Sequence, residues 1–304
     1  MREEIRNLKQ ITAPIFEDLK IFENEFREAM QSEVRLVNTI GKYLLRHKGK
    51  NIRPILTILS ARITGQPTLQ SYQAAAMIEF IHTATLLHDD VVDESDTRRG
   101  IKTAHRNFGN ESTILVGDFL YSRAFQMMVQ IGQIRVMEIM AHTTNTIAEG
   151  EVLQLTHCGN PDVTEKEYMD VIYRKTGKLF EASASIGAVL ADQSQIIESS
   201  LTEYGRHVGI AFQLIDDVFD YSSSFEIIGK NIGDDLAEGK PTLPLIYALE
   251  RCNSQEHLLI RGAIENKDSR HSEQIIERLK TCGVIELATE KAKATSEKAI
   301  NALG

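Results

Sequence analysis

Apolar residues recur at helical spacing along nearly the whole chain. Alternating apolar and polar runs between turn residues, the mark of strands, are almost absent. The periodicity predicts helices over 15–46, 71–94, 112–130, 134–157, 164–191, 196–223 and 242–250, with three more in 256–302. Breaks fall at HKGKNIRP, TGQPT, RRGIKTAHRNFGN, HCGNPDVT and GKNIGDDLAEGKPT, where glycine, proline and asparagine gather. The run T-E-K-E at Thr164–Glu167 is a capping box and marks a helix start. No repeat, low-complexity linker or shift of composition divides the chain. The expected fold class is therefore all-α, a bundle of roughly ten or more helices forming a single domain over 1–304.

Composition narrows the functional classes. The six prolines leave no proline between Pro67 and Pro161, or between Pro161 and Pro241, so long helices are permitted. A net charge of −9 argues against nucleic acid as a partner. Three widely spaced cysteines form no metal or disulfide pattern and fit a reducing, cytoplasmic location. The first residues, MREEIRNLKQ, lack the apolar core of a signal peptide. The most apolar stretch, AAAMIEFIHTATLL, carries Glu79 and His82 and is not a membrane span.

The candidate chemistry starts at LLHDDVVDESDTRRG, Leu86–Gly100, where five acidic residues fall within eight positions. An acidic run is usually a solvated helix face. Here it continues a strongly apolar helix. Asp89 and Asp93, four apart, are expected about 40° from each other on one helix, a destabilising pair unless something neutralises them. The spacing recurs in QLIDDVFDY, as Asp216, Asp217 and Asp220. Oxygen-only ligands without nearby His or Cys point to a hard cation, Mg2+ before Zn2+, completed by water and phosphate. Glu94 and Asp96 are read as solvated surface charge.

Basic residues lie in the breaks beside these clusters: Lys50 and Arg53, Arg98 and Arg99, Lys175, and Lys230 and Lys240. A bare carboxylate about 5 Å from a phosphate charge repels it by about 3 kcal/mol at an effective dielectric of about 20. The acidic clusters thus need metal between them and a diphosphate, whereas a second diphosphate can be held by Lys and Arg alone.

The stretches GKNIRP, EFIHTATLLHDDVVDESDTRRG, GDFLYSRAFQMM, AEGEVLQL, YRKTGKLFEAS, GIAFQLIDDVFDY and GKNIGDDLAEGKPTLPL resemble those of the trans-type polyprenyl diphosphate synthases, over essentially the whole length. The wording is closest to bacterial members that make an eight-unit product. The resemblance implies helices around a central cavity, a homodimer, and two or three Mg2+ ions. It implies that isopentenyl diphosphate is added to an allylic prenyl diphosphate by ionisation, condensation and elimination, the released diphosphate taking the proton. Asp89, Asp93 and Asp216 would ligate Mg2+, with Asp90, Asp217 and Asp220 as further ligands or supports. Lys50, Arg53, His82 and Arg99 would hold isopentenyl diphosphate. Arg98, Lys175, Lys240 and Lys230 would hold the allylic diphosphate, and Thr176 and Gln213 would line the reaction centre. Without the resemblance, His82 reads as a core histidine, although it lies two helical turns before Asp89. Lys48 departs from the family by replacing a glycine before the basic residues. Close relatives continue past Gly304, so a terminal helix is expected outside this sequence.

Product length is expected to depend on Ala84 and Thr85, five and four positions before Asp89. Their small side chains leave room for a tunnel, or simply let another helix pack there. Met128 and Met140 are candidates for its floor, with core filling as the alternative. Transient membrane contact is expected for product release. The competing readings are a shorter farnesyl or geranylgeranyl product, a terpene cyclase, which would not need Lys50, Arg53 and His82, and a non-catalytic partner subunit, which would be expected to lose acidic ligands.

Overall fold

A computed structural model describes residues 7–47, 49–98, 100–222 and 233–304. Helix α1 (Leu8–Thr12) leads through a 3-10 turn to α2 (Phe16–Ala29), α3 (Arg35–Arg46), α4 (Ile52–Thr64) and α5 (Leu69–Val92). Strands β1 (Thr97–Arg98) and β2 (Ile101–Lys102) form a two-residue antiparallel hairpin, the only sheet among the described residues. Then come α6 (Ala104–Phe108), α7 (Asn110–Ile131), α8 (Ile134–His157), α9 (Glu165–Ile172), α10 (Lys178–Leu190) and α11 (Gln195–Ser222). The C-terminal part adds a short helix at Asp234–Ala237 and longer ones at Leu243–Arg251, Ser254–Asn266, Ser272–Thr281 and Val284–Asn301. The fold is all-α, as expected. Among the described residues no helix is long and apolar enough to cross a membrane.

The chain packs as two compact units. The first runs to Val92 and adds Ala104–Ala141 and Ala182–Thr202. Its centre is α5, in which Ala74, Ala75, Met77, Ile78, Phe80 and Ile81 are all fully buried. A helix apolar on every side belongs inside, and α2, α4 and α7 pack against it. Phe80 meets Phe26 of α2 with ring centroids 4.8 Å apart. The buried Asp18 carboxylate accepts from Tyr72 Oη at 2.7 Å and Arg62 Nη2 at 3.2 Å, which offsets its desolvation. In α10, a Cβ on Gly187 would lie 2.5 Å from the Thr57 carbonyl oxygen, so α10 and α4 touch backbone to backbone.

The second unit comprises Asp93–Thr103, His142–Glu181 and Glu203–Gly304. Its core has two clusters. One joins Tyr221 and Leu236 to the C-terminal helices through Leu245, Ile260, Ile275 and Leu279. The other joins Tyr168 and Ile172 of α9 to Ile210, Leu214 and Val218 of α11.

The capping box at Thr164 is present: Thr164 N donates to Glu167 Oε2 at 2.8 Å, and Glu167 N to Thr164 Oγ1 at 3.3 Å. Four expectations are corrected. The helix expected over 15–46 is two, because Asn38 bonds Ser32 N and Ser32 O at 3.1 and 2.6 Å and competes with the helical ladder. Helix α4 occupies a stretch given no helix. Pro54 lies in its first turn, where proline removes no ladder bond. The helix over 71–94 stops at Val92, because Glu94 takes the left-handed conformation with φ 51°. The helix over 164–191 carries a π-helical turn at Tyr173–Gly177. The last residue of the 196–223 helix lies outside the described residues.

Candidate active site

The first acidic motif begins on α5. Asp89 is half-buried and Asp90 only 4% exposed, while Asp93 sits in the turn after the helix. Asp93 thus follows directly on the last residue of α5, Val92. His82 and Asp89 both lie half-buried on α5. Beside Asp89, the His88 ring rests on α7, with Nε2 3.1 Å from Ile114 O and 3.4 Å from Asp118 Oδ1. Gly117 makes room for it, since a Cβ there would lie 2.3 Å from Nε2. Lys50 is exposed just before α4, and Arg53 is half-buried in its first turn. Ala84 is fully buried, Thr85 donates to His82 O at 2.9 Å, and Met128 and Met140 are core residues.

In the second unit, Asp93 meets Lys240. Lys240 Nζ donates to Asp93 Oδ2 at 2.9 Å and also pairs with Glu238. Burial works to lower the Lys240 pKa, but the carboxylates of Asp235, Glu238 and Asp93 outweigh it and hold the ammonium charged. Burial raises the Glu238 pKa, with Lys240 opposing. Arg98 lies half-buried in β1.

Helix α11 carries the second motif. Asp216 is exposed, whereas Asp217 and Asp220 are buried. Asp217 Oδ2 accepts from Tyr168 Oη at 2.6 Å and Oδ1 from Gln213 Nε2 at 2.7 Å. Gln213 Oε1 accepts in turn from Thr176 Oγ1 at 2.8 Å. Burial, then the nearby Asp235 charge, pushes the Asp217 carboxyl upward. Asp220 Oδ2 accepts from Asp235 N at 3.3 Å.

The π turn supplies Lys175 and Thr176, and two glycines allow it. A Cβ on Gly150 of α8 would lie 2.7 Å from Arg174 Cβ and 2.9 Å from Lys175 N. A Cβ on Gly209 of α11 would lie 2.8 Å from Gly177 Cα. Lys175 Nζ donates to Glu151 Oε2 at 2.5 Å. Such single-turn π bulges gather at functional sites.

Sequence reasoning missed four residues here. Glu151, Asp235 and Glu238 lie within quoted motifs but were assigned no role. Tyr168 offered no signal, because an aromatic residue at helical spacing reads as core. Arg99, Lys230 and Lys48 lie outside the described residues.

The donor set is carboxylate oxygen, which suits a hard divalent cation. Among the described residues no three His, Cys, Asp or Glu side chains converge as a ready cage. The carboxylates of Asp93, Asp235 and Glu238 are near enough to Lys240 to act on its charge.

The sequence profile of the family described as polyprenyl synthetase matches residues 34–282. The chain is 48% identical over 298 residues to the octaprenyl diphosphate synthase of Escherichia coli (strain K12), covering 98% of this chain and 92% of that one. It is 41% identical over 296 residues to the all-trans-nonaprenyl-diphosphate synthase (geranyl-diphosphate specific) of Rhodobacter capsulatus, covering 97% and 91%. The crystal structure of a polyprenyl synthase from Caulobacter crescentus CB15, complexed with calcium and isoprenyl diphosphate, matches with a TM-score of 0.95 at 36% identity over 99% of this chain and 92% of that one. The match to the family profile spans most of the sequence and the relatives align almost end to end, so the chain belongs to the polyprenyl synthetase family and is a prenyltransferase, a trans-polyprenyl diphosphate synthase.

Proposed function

We propose that this enzyme is a Mg2+-dependent, long-chain synthase that extends an allylic diphosphate with isopentenyl diphosphate to octaprenyl diphosphate. The carrying observation is that Lys175 and Lys240, the two described lysines assigned to the allylic diphosphate, are each held by carboxylates, Glu151 for one and Asp93 and Glu238 for the other. A diphosphate arriving there exchanges one anionic partner for another, and Asp93 is released for metal. Asp89 and Asp216 complete the metal-ligating set. Asp217, with both oxygens engaged, acts as a support.

Mg2+, when bound, supplies charge neutralisation for the departing diphosphate. Lys175 and Lys240 orient that diphosphate; Arg98 and Lys230 are assigned to the same group. Lys50, Arg53, His82 and Arg99 hold isopentenyl diphosphate. Residues 1–304 act as one catalytic domain, which the unbroken family match supports. The eight-unit product is favoured by the identity to the Escherichia coli enzyme and by the small Ala84 and Thr85.

A homodimer is supported by exposed Leu115, Phe125 and Val129, which fall within about 80° of one another around α7. The enzyme works in the cytoplasm and releases product by transient membrane contact.

Incubation with Mg2+, farnesyl diphosphate and labelled isopentenyl diphosphate tests the proposal. Mass spectrometry should find an eight-unit diphosphate. No elongation by folded protein overturns the activity, and another length overturns the specificity.

A further inference from the structure

Four side chains form one unbroken hydrogen-bonded chain: Tyr168 to Asp217, Asp217 to Gln213, Gln213 to Thr176, at 2.6, 2.7 and 2.8 Å. They come from α9, α11 and the π turn, and Tyr168, Asp217 and Thr176 are all buried. We propose that Tyr168 is a positioning residue, which through Asp217 and Gln213 fixes the direction in which the Thr176 hydroxyl donates. The inference rests on the reading of Thr176 as a reaction-centre residue.

A tyrosine hydroxyl has one proton, and Tyr168 gives it to Asp217 Oδ2. Asp217 Oδ1 receives the Gln213 amide nitrogen, so the amide oxygen is turned toward Thr176. Thr176 has one proton and spends it on that oxygen. Any further partner of Thr176 meets lone pairs only. A group that gains positive charge during reaction is stabilised there, and a group that needs a proton is not. If the amide were reversed, Thr176 would accept from Gln213 and present its proton outward.

Tyr168 is not expected to touch substrate. Its hydroxyl holds Asp217, Asp217 holds the amide, and the amide holds the hydroxyl. Loss of one buried hydrogen bond is large enough to be visible in rate.

The test is a double-mutant cycle on kcat with farnesyl and isopentenyl diphosphates. Tyr168→Phe should lower kcat about tenfold and leave both KM values within about twofold. In a Thr176→Val background the same substitution should cost little, because the group it orients is gone. Equal kcat in Tyr168→Phe and wild type, or losses that add in the double variant, overturns the inference. A fall in melting temperature with unchanged kcat per folded molecule also overturns it, since that is the mark of a merely structural tyrosine. If Tyr168→Phe does not fold, the near-isosteric Asp217→Asn replaces it. Coupling to Thr176→Val then supports the inference, and additivity overturns it. Absence of elongation by wild-type protein, by contrast, is a failure of the activity reading and is seen before any variant is made.

Discussion

Lys240 Nζ donates to Asp93 Oδ2 at 2.9 Å across 147 positions of sequence. One lysine thereby ties the end of the first acidic motif to a loop near the second. Loss of this ammonium should strike allylic substrate first. In Lys240→Met, KM for farnesyl diphosphate should rise about 10- to 100-fold, the worth of one charge-assisted bond, while KM for isopentenyl diphosphate changes little. Steady-state kinetics with each substrate varied separately checks this.

Glu151 holds Lys175 in the π turn. Glu151→Gln keeps the shape and removes the charge, so Lys175 should be less well fixed. We expect a fall of about three- to tenfold in kcat/KM for the allylic substrate, with melting temperature nearly unchanged. An unaltered kcat/KM would remove Glu151 from the site.

Two glycines separate packing from propensity. Gly187→Ala places a methyl against a backbone oxygen that has little freedom to yield, and should destabilise by about 1–3 kcal/mol. Gly262, within the helix Ser254–Asn266, has nothing within 4 Å of its added Cβ. Gly262→Ala should stabilise by up to about 1 kcal/mol. Urea unfolding of both variants checks the contrast.

Burial, then the bond to Asp18, pushes the Tyr72 phenol up to about 12 from its ordinary value of 10.0. The neutral form is therefore favoured by folding. Its contribution is complete below pH 10 and is lost as pH rises through about 12. Tyr72→Phe should be less stable than wild type at pH 8, and the gap should narrow as pH rises through this window. Urea midpoints at pH 8, 10 and 11.5 measure it.

Ala84 is fully buried and Thr85 half-buried on the same helix. Thr85→Phe should shorten the product at small cost in stability. Ala84→Phe should shorten it too, but with an overpacking penalty of about 1–3 kcal/mol. Product mass spectra alongside melting curves distinguish the two, and full-length product from both variants would remove the tunnel wall from this face.

Much of this arrangement can be read from local chemistry. The capping box at Thr164 and the two acidic motifs are patterns of three to five residues whose physics is near in sequence. Where local signals conflicted, reading was harder. Pro54 marks a break by composition yet sits where a helix tolerates it, and Ser32 with Asn38 breaks a helix that periodicity alone would continue. The Asp93–Lys240 and Tyr168–Asp217 bonds join positions far apart in the chain. No spacing rule reaches that far, so Tyr168 could only look like core.

The π turn at Tyr173–Gly177 acts on everything around it as a change of phase. A wide turn holds one residue more than an ordinary α turn, so α9 and α10 are offset by about 100° from the alignment a regular helix would give. Removing the extra residue would turn Tyr168 by about 100° relative to the residues that follow the turn. The length of this stretch is thus as much a part of the site as its letters.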